Sequence, residues 1–284
     1  MTERAVDERN FSNICKLSLH YLYNLWAKTL VPTRNEACMT ILRRVDQEES
    51  SPMEGGKLLT MAGASTGAAM ATVGDLTVQP GVRSGYHSHP NTEEAIFVVE
   101  GEMEFRVGTA RFRASTGDCV LASAGTGHGL ENVGSSPARL ITIYPTAEPE
   151  REALEDVEYT DGDAPATVFV RSKNEPYEFM AGVSRHDMVG DFLGSTSLYL
   201  SELTFEPGSI APNHYHPGHE ESMFCLEGDL MAVYADENNV PLAAGDCFTC
   251  EIGIRHGIYN SGSESAKLLA IHPVLNPPPR IDVD

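Results

Sequence analysis

Two tandem all-β barrels are predicted by three features of the sequence: short alternating segments, the glycine and proline that bound them, and an internal repeat. LYLSELTF, EAIFVVEG, MEFRV and ARFRAS each alternate apolar with polar residues, the period of a half-buried strand. LTVQPG at Leu76–Gly81 returns 127 positions later as LTFEPG at Leu203–Gly208. HSHPNTEEAIFVVEG from His87 returns at the same offset as HYHPGHEESMFCLEG from His214. GDCVLASAGTGHGLENVGS from Gly117 returns at an offset of 128, so one residue is inserted in the hairpin after Gly101 or Gly228. Closing short antiparallel strands into a barrel or double-sheet jelly roll removes exposed edges, and two such units fit the 284 residues.

Taken in order, residues 1–56 lie outside the repeat. Phe11, Ile14, Leu17, Tyr21, Leu22 and Leu25 have helical spacing, which predicts a partly helical extension that packs on a barrel or on a partner subunit, leaving a homodimer open. Residues 57–147 form the first barrel. Residues 148–167, acidic and poor in large apolar side chains, read as a linker or surface excursion. Residues 168–276 form the second barrel and 277–284 a tail. MAGAS at Met61 and MAGVS at Met180 stand 119 apart, which assigns the second copy about eight extra residues around Arg185–Phe192, a candidate lid that includes His186.

The charge of −21, from 41 acidic and 20 basic residues, repels phosphate backbones and anionic lipid surfaces, so neither nucleic acid nor membrane is an expected partner. The N-terminus carries mixed charge, and the apolar stretch after Leu17 is broken by His20, Asn24 and Lys28. This excludes a signal peptide and a spanning helix and predicts a cytoplasmic protein. All six cysteines are expected as thiols, because Cys247 and Cys250 fall on opposite faces of a strand.

Strand alternation turns His87 and His89 to one face, and Glu94 begins the next strand with Ile96 and Val98 on its inner side. His128 lies in a later strand able to cross the same interior. The second copy supplies His214, His216, Glu221 and His256 at the equivalent positions. Three imidazoles and a carboxylate hold a divalent first-row ion with up to two positions open. Fe(II) or Mn(II), about one per barrel, is the leading expectation, with Zn, Ni or Cu as alternatives.

These residues resemble the cupin superfamily, whose first motif is G(X)5HXH(X)3–4E(X)6G and whose second is G(X)5PXG(X)2H(X)3N. Gly81, His87, His89, Glu94 and Gly101 fit the first motif, as do Gly208, His214, His216, Glu221 and Gly228. Gly117, Gly125, His128 and Asn132 fit the second, as do Gly245, Gly253, His256 and Asn260, with Ser123 and Glu251 replacing the family proline. The resemblance implies two double-stranded β-helix barrels, a bicupin, and a metal in each. The family's oxalate enzymes place an arginine three residues before the first histidine, where Ser84 and Ala211 stand here. The intact four-ligand pattern looks more like the quercetin dioxygenases and pirin-like proteins.

The expected activity is therefore that of a metal-dependent dioxygenase, an oxidoreductase taking O2 and a small aromatic, enediol or polyketide-like substrate. Glu221 or Glu94 would serve as the base. The alternatives are isomerase, cyclase, lyase or decarboxylase chemistry with the ion as Lewis acid, or a non-catalytic binding or storage bicupin. Ile96, Val98, Phe105, Met223, Cys225 and Tyr234 are expected to line the pockets, with His219 a gate or a surface residue. Glu93 and Glu220 read as solvated loop acids more readily than as bases, and Arg106, Arg111 and Arg113 as solvent-facing. The extra segment and its more polar pocket favour the C-terminal barrel for turnover.

Overall fold

The structure, a computed structural model, describes residues 40–235 and 238–283. The expected N-terminal helix lies outside them. Met39–Asp284 forms one compact unit.

Each repeat folds into two facing sheets, antiparallel except where Thr160–Asp161 runs parallel to Ala110–Ser115. In the first barrel one sheet runs Val168–Phe169, Cys119–Ala122, Glu94–Glu100, Ala138–Tyr144, Thr72–Val78, Gly56–Ala62, and the other is centred on His87–Ser88, His128–Asn132 and Glu102–Val107. The second barrel repeats this plan, with Glu221–Glu227 between Cys247–Cys250 and Ala266–His272, facing a sheet that carries Ile210–Tyr215 and His256–Asn260. Gly101 and Gly228 allow the tight hairpins that open the second sheet: both have positive φ (110° and 81°), and a Cβ would stand 2.7 Å from Ala138 or Ala266. Asn132 and Asn260 tie down the loops after the last ligand. Each side-chain amide donates to two backbone carbonyls, Val78 and Ser136 or Phe205 and Glu264.

Three apolar layers result. Ile96, Val98, Phe105 and Leu140 fill the first barrel, and Phe205, Met223, Phe248 and Leu268 the second. A third layer lies between the barrels, where the outer faces of the same strands meet through Met61, Phe97, Ile141, Met188, Phe224 and Leu269. Both faces of the strands Glu94–Glu100 and Glu221–Glu227 are thus buried, which makes these segments nearly continuous apolar runs. Cys247 lies in the shared layer and Cys250 in the barrel interior, on opposite faces. The four described cysteines are buried and free, and burial pushes the Cys225 and Cys247 thiols up to about 12.

Four expectations about chain organisation are corrected. First, Thr40–Leu42 pairs with Cys247–Cys250 of the second barrel while Val168–Phe169 pairs with Cys119–Ala122 of the first, so boundaries at 56 and 167 cut through sheets. Second, residues 148–167 are no free linker. Glu152–Ala153 pairs with His87–Ser88, Thr160–Asp161 adds beside Ala110–Ser115, and Asp156 binds Arg83 and Arg106. Third, Arg106 is buried rather than solvent-facing. Its guanidinium also donates to the Ser84 carbonyl; on the same outer face, away from Asp156, Arg111 is half-buried and Arg113 exposed.

Fourth, there is no eight-residue insertion. The strands Gly56–Ala62 and Val183–Val189 and the turns Ala64–Thr66 and Asp191–Leu193 all correspond at the offset of 127. Arg185 and His186 therefore sit in a regular barrel strand, not a lid. MAGVS, a hairpin after Tyr177–Met180, resembled MAGAS only by composition; the true counterpart of Met61 is Met188.

Candidate metal centres

Antiparallel pairing sets His87 opposite His128 and His214 opposite His256. Glu94 and Glu221 begin the central strands of the facing sheets, with side chains turned into the same space. Each set of four offers ligand atoms that all lie within 4.8 Å of one another. The second-copy ligands are all buried, and in the first copy only His87 is half-buried.

The backs of the imidazoles decide what the fronts can do. His87 Nδ1 donates to the Gly85 carbonyl (3.0 Å), His128 Nδ1 to Thr126 (2.8 Å), His214 Nδ1 to Pro212 (2.9 Å) and His256 Nδ1 to Ile254 (2.9 Å). His89 Nδ1 donates to the Glu150 carbonyl at 2.5 Å, a bond supplied by the segment expected to be a linker. A proton held at Nδ1 leaves the Nε2 lone pair facing inward. His128 Nε2 then stands 2.7 Å from Glu94 Oε2, and His216 and His256 Nε2 each 2.9 Å from Glu221 Oε2. Converging lone pairs at such distances repel unless a proton or a cation lies between them. A divalent ion fits both donor sets.

The carboxylates are held ionised. Burial pushes Glu94 up, but the imidazoles of His128 and His89 against it outweigh burial and keep the group below the ordinary carboxylate range. Against the same effect of burial, His272, His214, His216 and His256 hold Glu221 well below that range too. Burial depresses His87 and His219 to about 4 and His272 to about 3, with help from neighbouring imidazoles.

This gives the metal-free protein a pH dependence. A histidine whose folded pKa lies below its unfolded value of about 6.5 takes its proton first in the unfolded chain, so stability is lost as pH falls. Chelated protein is expected to show a falling Tm between about pH 6.5 and pH 4. A flat profile over that window in thermal unfolding would contradict the burial of these rings.

The surroundings of the two sites differ. A cavity of about 250 Å³ opens beside the first, lined by Met53, Leu58, Ile96, Thr142, Tyr144 and Arg151. A cavity of about 450 Å³ opens beside the second, walled by Phe179, Arg185, Phe205, Met223, His272 and the Pro277–Arg280 segment. Of the expected lining, Ile96 and Met223 reach these cavities, whereas Val98, Phe105, Cys225 and Tyr234 do not. They lie one inward step further down their strands or on the opposite sheet, in the packed interior.

His219 is fully buried rather than a surface residue; its Nε2 lies 3.1 Å from His272 Nδ1. Nor are Glu93 and Glu220 loop acids or bases. Glu220 accepts from the backbone of Ala69, Met70 and Ala71, and Glu93 from Ser195, Thr196 and Ser197, each reaching into the opposite barrel.

Tyr144 and His272 were missed. The Tyr144 hydroxyl donates to Glu94 Oε1 at 2.7 Å, and His272 Nε2 lies 3.6 Å from Glu221 Oε1. The signal was present: ITIYP and LAIHP end the two repeats at an offset of 128 and align tyrosine with histidine. Arg151 and Arg280, in the segments that follow the last strands, carried no such signal.

Elemental analysis tests the ligand sets. His87→Ala/His89→Ala and His214→Ala/His216→Ala are each expected to lower the metal content relative to wild type by at least one divalent ion per chain, and unchanged content in either refutes that set.

Comparison with known proteins agrees with this geometry. The cupin-domain family matches residues 74–144 and 201–272. Quercetin 2,3-dioxygenase of Bacillus subtilis is 22% identical over 231 residues, 65% of this chain and 68% of that protein. A germin-like protein 9-2 of Oryza sativa subsp. japonica, described as putative in its own name, is 33% identical over 82 residues, which span 28% of this chain but only 38% of that relative. Among solved structures, an oxalate decarboxylase–formate complex of Lactobacillus farciminis superposes with a TM-score of 0.71 at 15% identity, covering 86% of this chain and 88% of that one, a likeness of fold. With the family matched in both repeats, and two barrels each closing on three histidines and a glutamate, the chain belongs to the cupin superfamily as a two-domain bicupin.

Proposed function

We propose that the protein is a metal-dependent dioxygenase of a small aromatic or enolic substrate, with turnover in the C-terminal barrel. The observation that carries this reading is the cavity of about 450 Å³ against His214, His216, Glu221 and His256. Its volume lies in the range of organic-ligand sites, and its walls are largely apolar. Fe(II) or Mn(II) held by these four residues would orient a deprotonated substrate oxygen and O2 and stabilise developing negative charge.

The chain's own groups do the rest. Phe179, Phe205 and Met223 give a ring its apolar walls and exclude water. Arg185, its guanidinium 4.7 Å from the Phe179 ring centre and 5.0 Å from that of Tyr199 and its Nε paired with Asp187 at 2.7 Å, places hydrogen-bond donors at the cavity wall for an anionic phenolate or enolate. Glu221, held ionised, takes the substrate hydroxyl proton at Oε1, the oxygen turned toward His272. The likeness to quercetin 2,3-dioxygenase, a bicupin-length match, supports this reading.

A second reading attaches to the N-terminal site. Its smaller cavity, with Arg151 at the wall and the Tyr144 hydroxyl on Glu94, suits decarboxylation of a small carboxylic acid. Metal-loaded protein screened against flavonols, catechols, enediols and small carboxylic acids, with O2 uptake and CO2 release followed together, separates the two. Substrate loss matched by O2 uptake supports the dioxygenase, and CO2 release without O2 uptake replaces it with the second reading.

A further inference from the structure

The C-terminal barrel holds two histidines that the N-terminal barrel lacks. His219 and His272 stand where the first repeat has Thr92 and Tyr144, so the fold itself requires no imidazole at either position. Together with His216 they form a second buried group whose ligand atoms lie within 4.8 Å of one another. The three ring centres are 4.6, 5.2 and 5.2 Å apart, close to the 5.1, 4.4 and 5.3 Å among His87, His89 and His128.

Two further observations point to a ligand. His219 Nε2 and His272 Nδ1 are 3.1 Å apart. Nitrogens bound to one ion at about 2.0–2.1 Å stand roughly 3.0–3.4 Å apart, so the pair already has the spacing of neighbouring ligands. His216 Nδ1, the nitrogen turned away from Glu221, is moreover buried with no hydrogen-bond partner. The contrast with the first barrel is direct: there the equivalent His89 Nδ1 is satisfied by the Glu150 carbonyl.

We propose that His216, His219 and His272 bind a second divalent cation in the C-terminal barrel, beside the one held by His214, His216, Glu221 and His256, with His216 shared between the two as an imidazolate whose ring N–H proton is released to solvent when the second ion binds. A set of three imidazoles with no carboxylate favours Zn(II), Cu(II) or Ni(II) over Mn(II). The net charge of −21 raises the local concentration of any such cation. The inference concerns metal binding alone and stands whether or not the dioxygenase reading holds.

The test is a count of zinc. Full-length protein stripped with a chelator is dialysed against Zn²⁺ and analysed for metal per chain, with wild type, His219→Thr/His272→Tyr and His219→Ala in parallel. The double variant installs the residues of the first barrel, which that fold accommodates. Wild type is expected to hold one zinc more than the double variant, three against two when both four-ligand sites fill, and His219→Ala is expected to match the double variant. Equal zinc in wild type and the double variant overturns the proposal. Where a variant fails to fold, the wild type alone decides, and a content of two or fewer overturns the proposal.

Discussion

Glu221→Gln is expected to lower kcat by roughly 10²-fold or more, the loss typical of a removed general base, whereas Glu94→Gln lowers it less than about 10-fold. The two carboxylates match in position and in ionisation, so the difference must come from what lies beside them. Oε1 of Glu94 accepts the Tyr144 hydroxyl at 2.7 Å, which leaves it less available for a substrate proton. Oε1 of Glu221 lies 3.6 Å from His272 Nε2, beyond hydrogen-bond distance, at a cavity of about 450 Å³ as against 250 Å³. Gln keeps the shape and one acceptor oxygen but cannot take a proton, so the loss should fall on kcat more than on KM. Steady-state kinetics on a substrate from the screen, with metal content measured on the same samples, makes the comparison. Equal losses, or a larger loss in Glu94→Gln, place turnover elsewhere.

The eight candidate ligands, and their convergence in two clusters, were legible because strand alternation and the repeat constrain them twice. His87 and His89 share a face by period two, and His214 and His216 repeat them at a fixed offset. The pocket was only partly legible. Alternation identifies which side of the sheet Ile96, Val98, Met223 and Cys225 occupy, but not how deep the open space runs, and packing closes it after the first inward step. The buried charges were misread for a physical reason. Arg106, Glu93 and Glu220 look like surface residues because burying a charge is costly, and only tertiary structure shows the backbone amides and carboxylates that compensate each one. The segment after Tyr144 read as a linker because it has few apolar side chains. It is held instead by backbone pairing to His87–Ser88 and by Asp156, which its composition does not reveal.

Glu93 and Glu220 give the largest expected effect on stability. Each is almost wholly buried, at 1% and 2% exposure, and each reaches across the layer between the barrels to gather three consecutive backbone amides or a set of amides and hydroxyls. The arrangement is reciprocal, because the two residues occupy equivalent positions in the repeat and each grips the turn that precedes a strand of the other barrel. Removing the carboxylate leaves several buried donors without an acceptor, at about 1–3 kcal/mol each. Glu93→Ala and Glu220→Ala are therefore each expected to destabilise by about 3–5 kcal/mol, lowering Tm by roughly 6–20 °C for a unit of this size. Gln retains one acceptor oxygen but turns an amide donor toward the other amides, so Glu220→Gln should recover only part of the loss. Exposed Glu54→Ala serves as the reference and is expected to stay within about 0.5 kcal/mol of wild type. Thermal unfolding of metal-loaded protein reads the effect, since metal held by separate residues is then constant across the series. Tm values for Glu93→Ala and Glu220→Ala that match Glu54→Ala would mean that the apolar layer alone holds the barrels together.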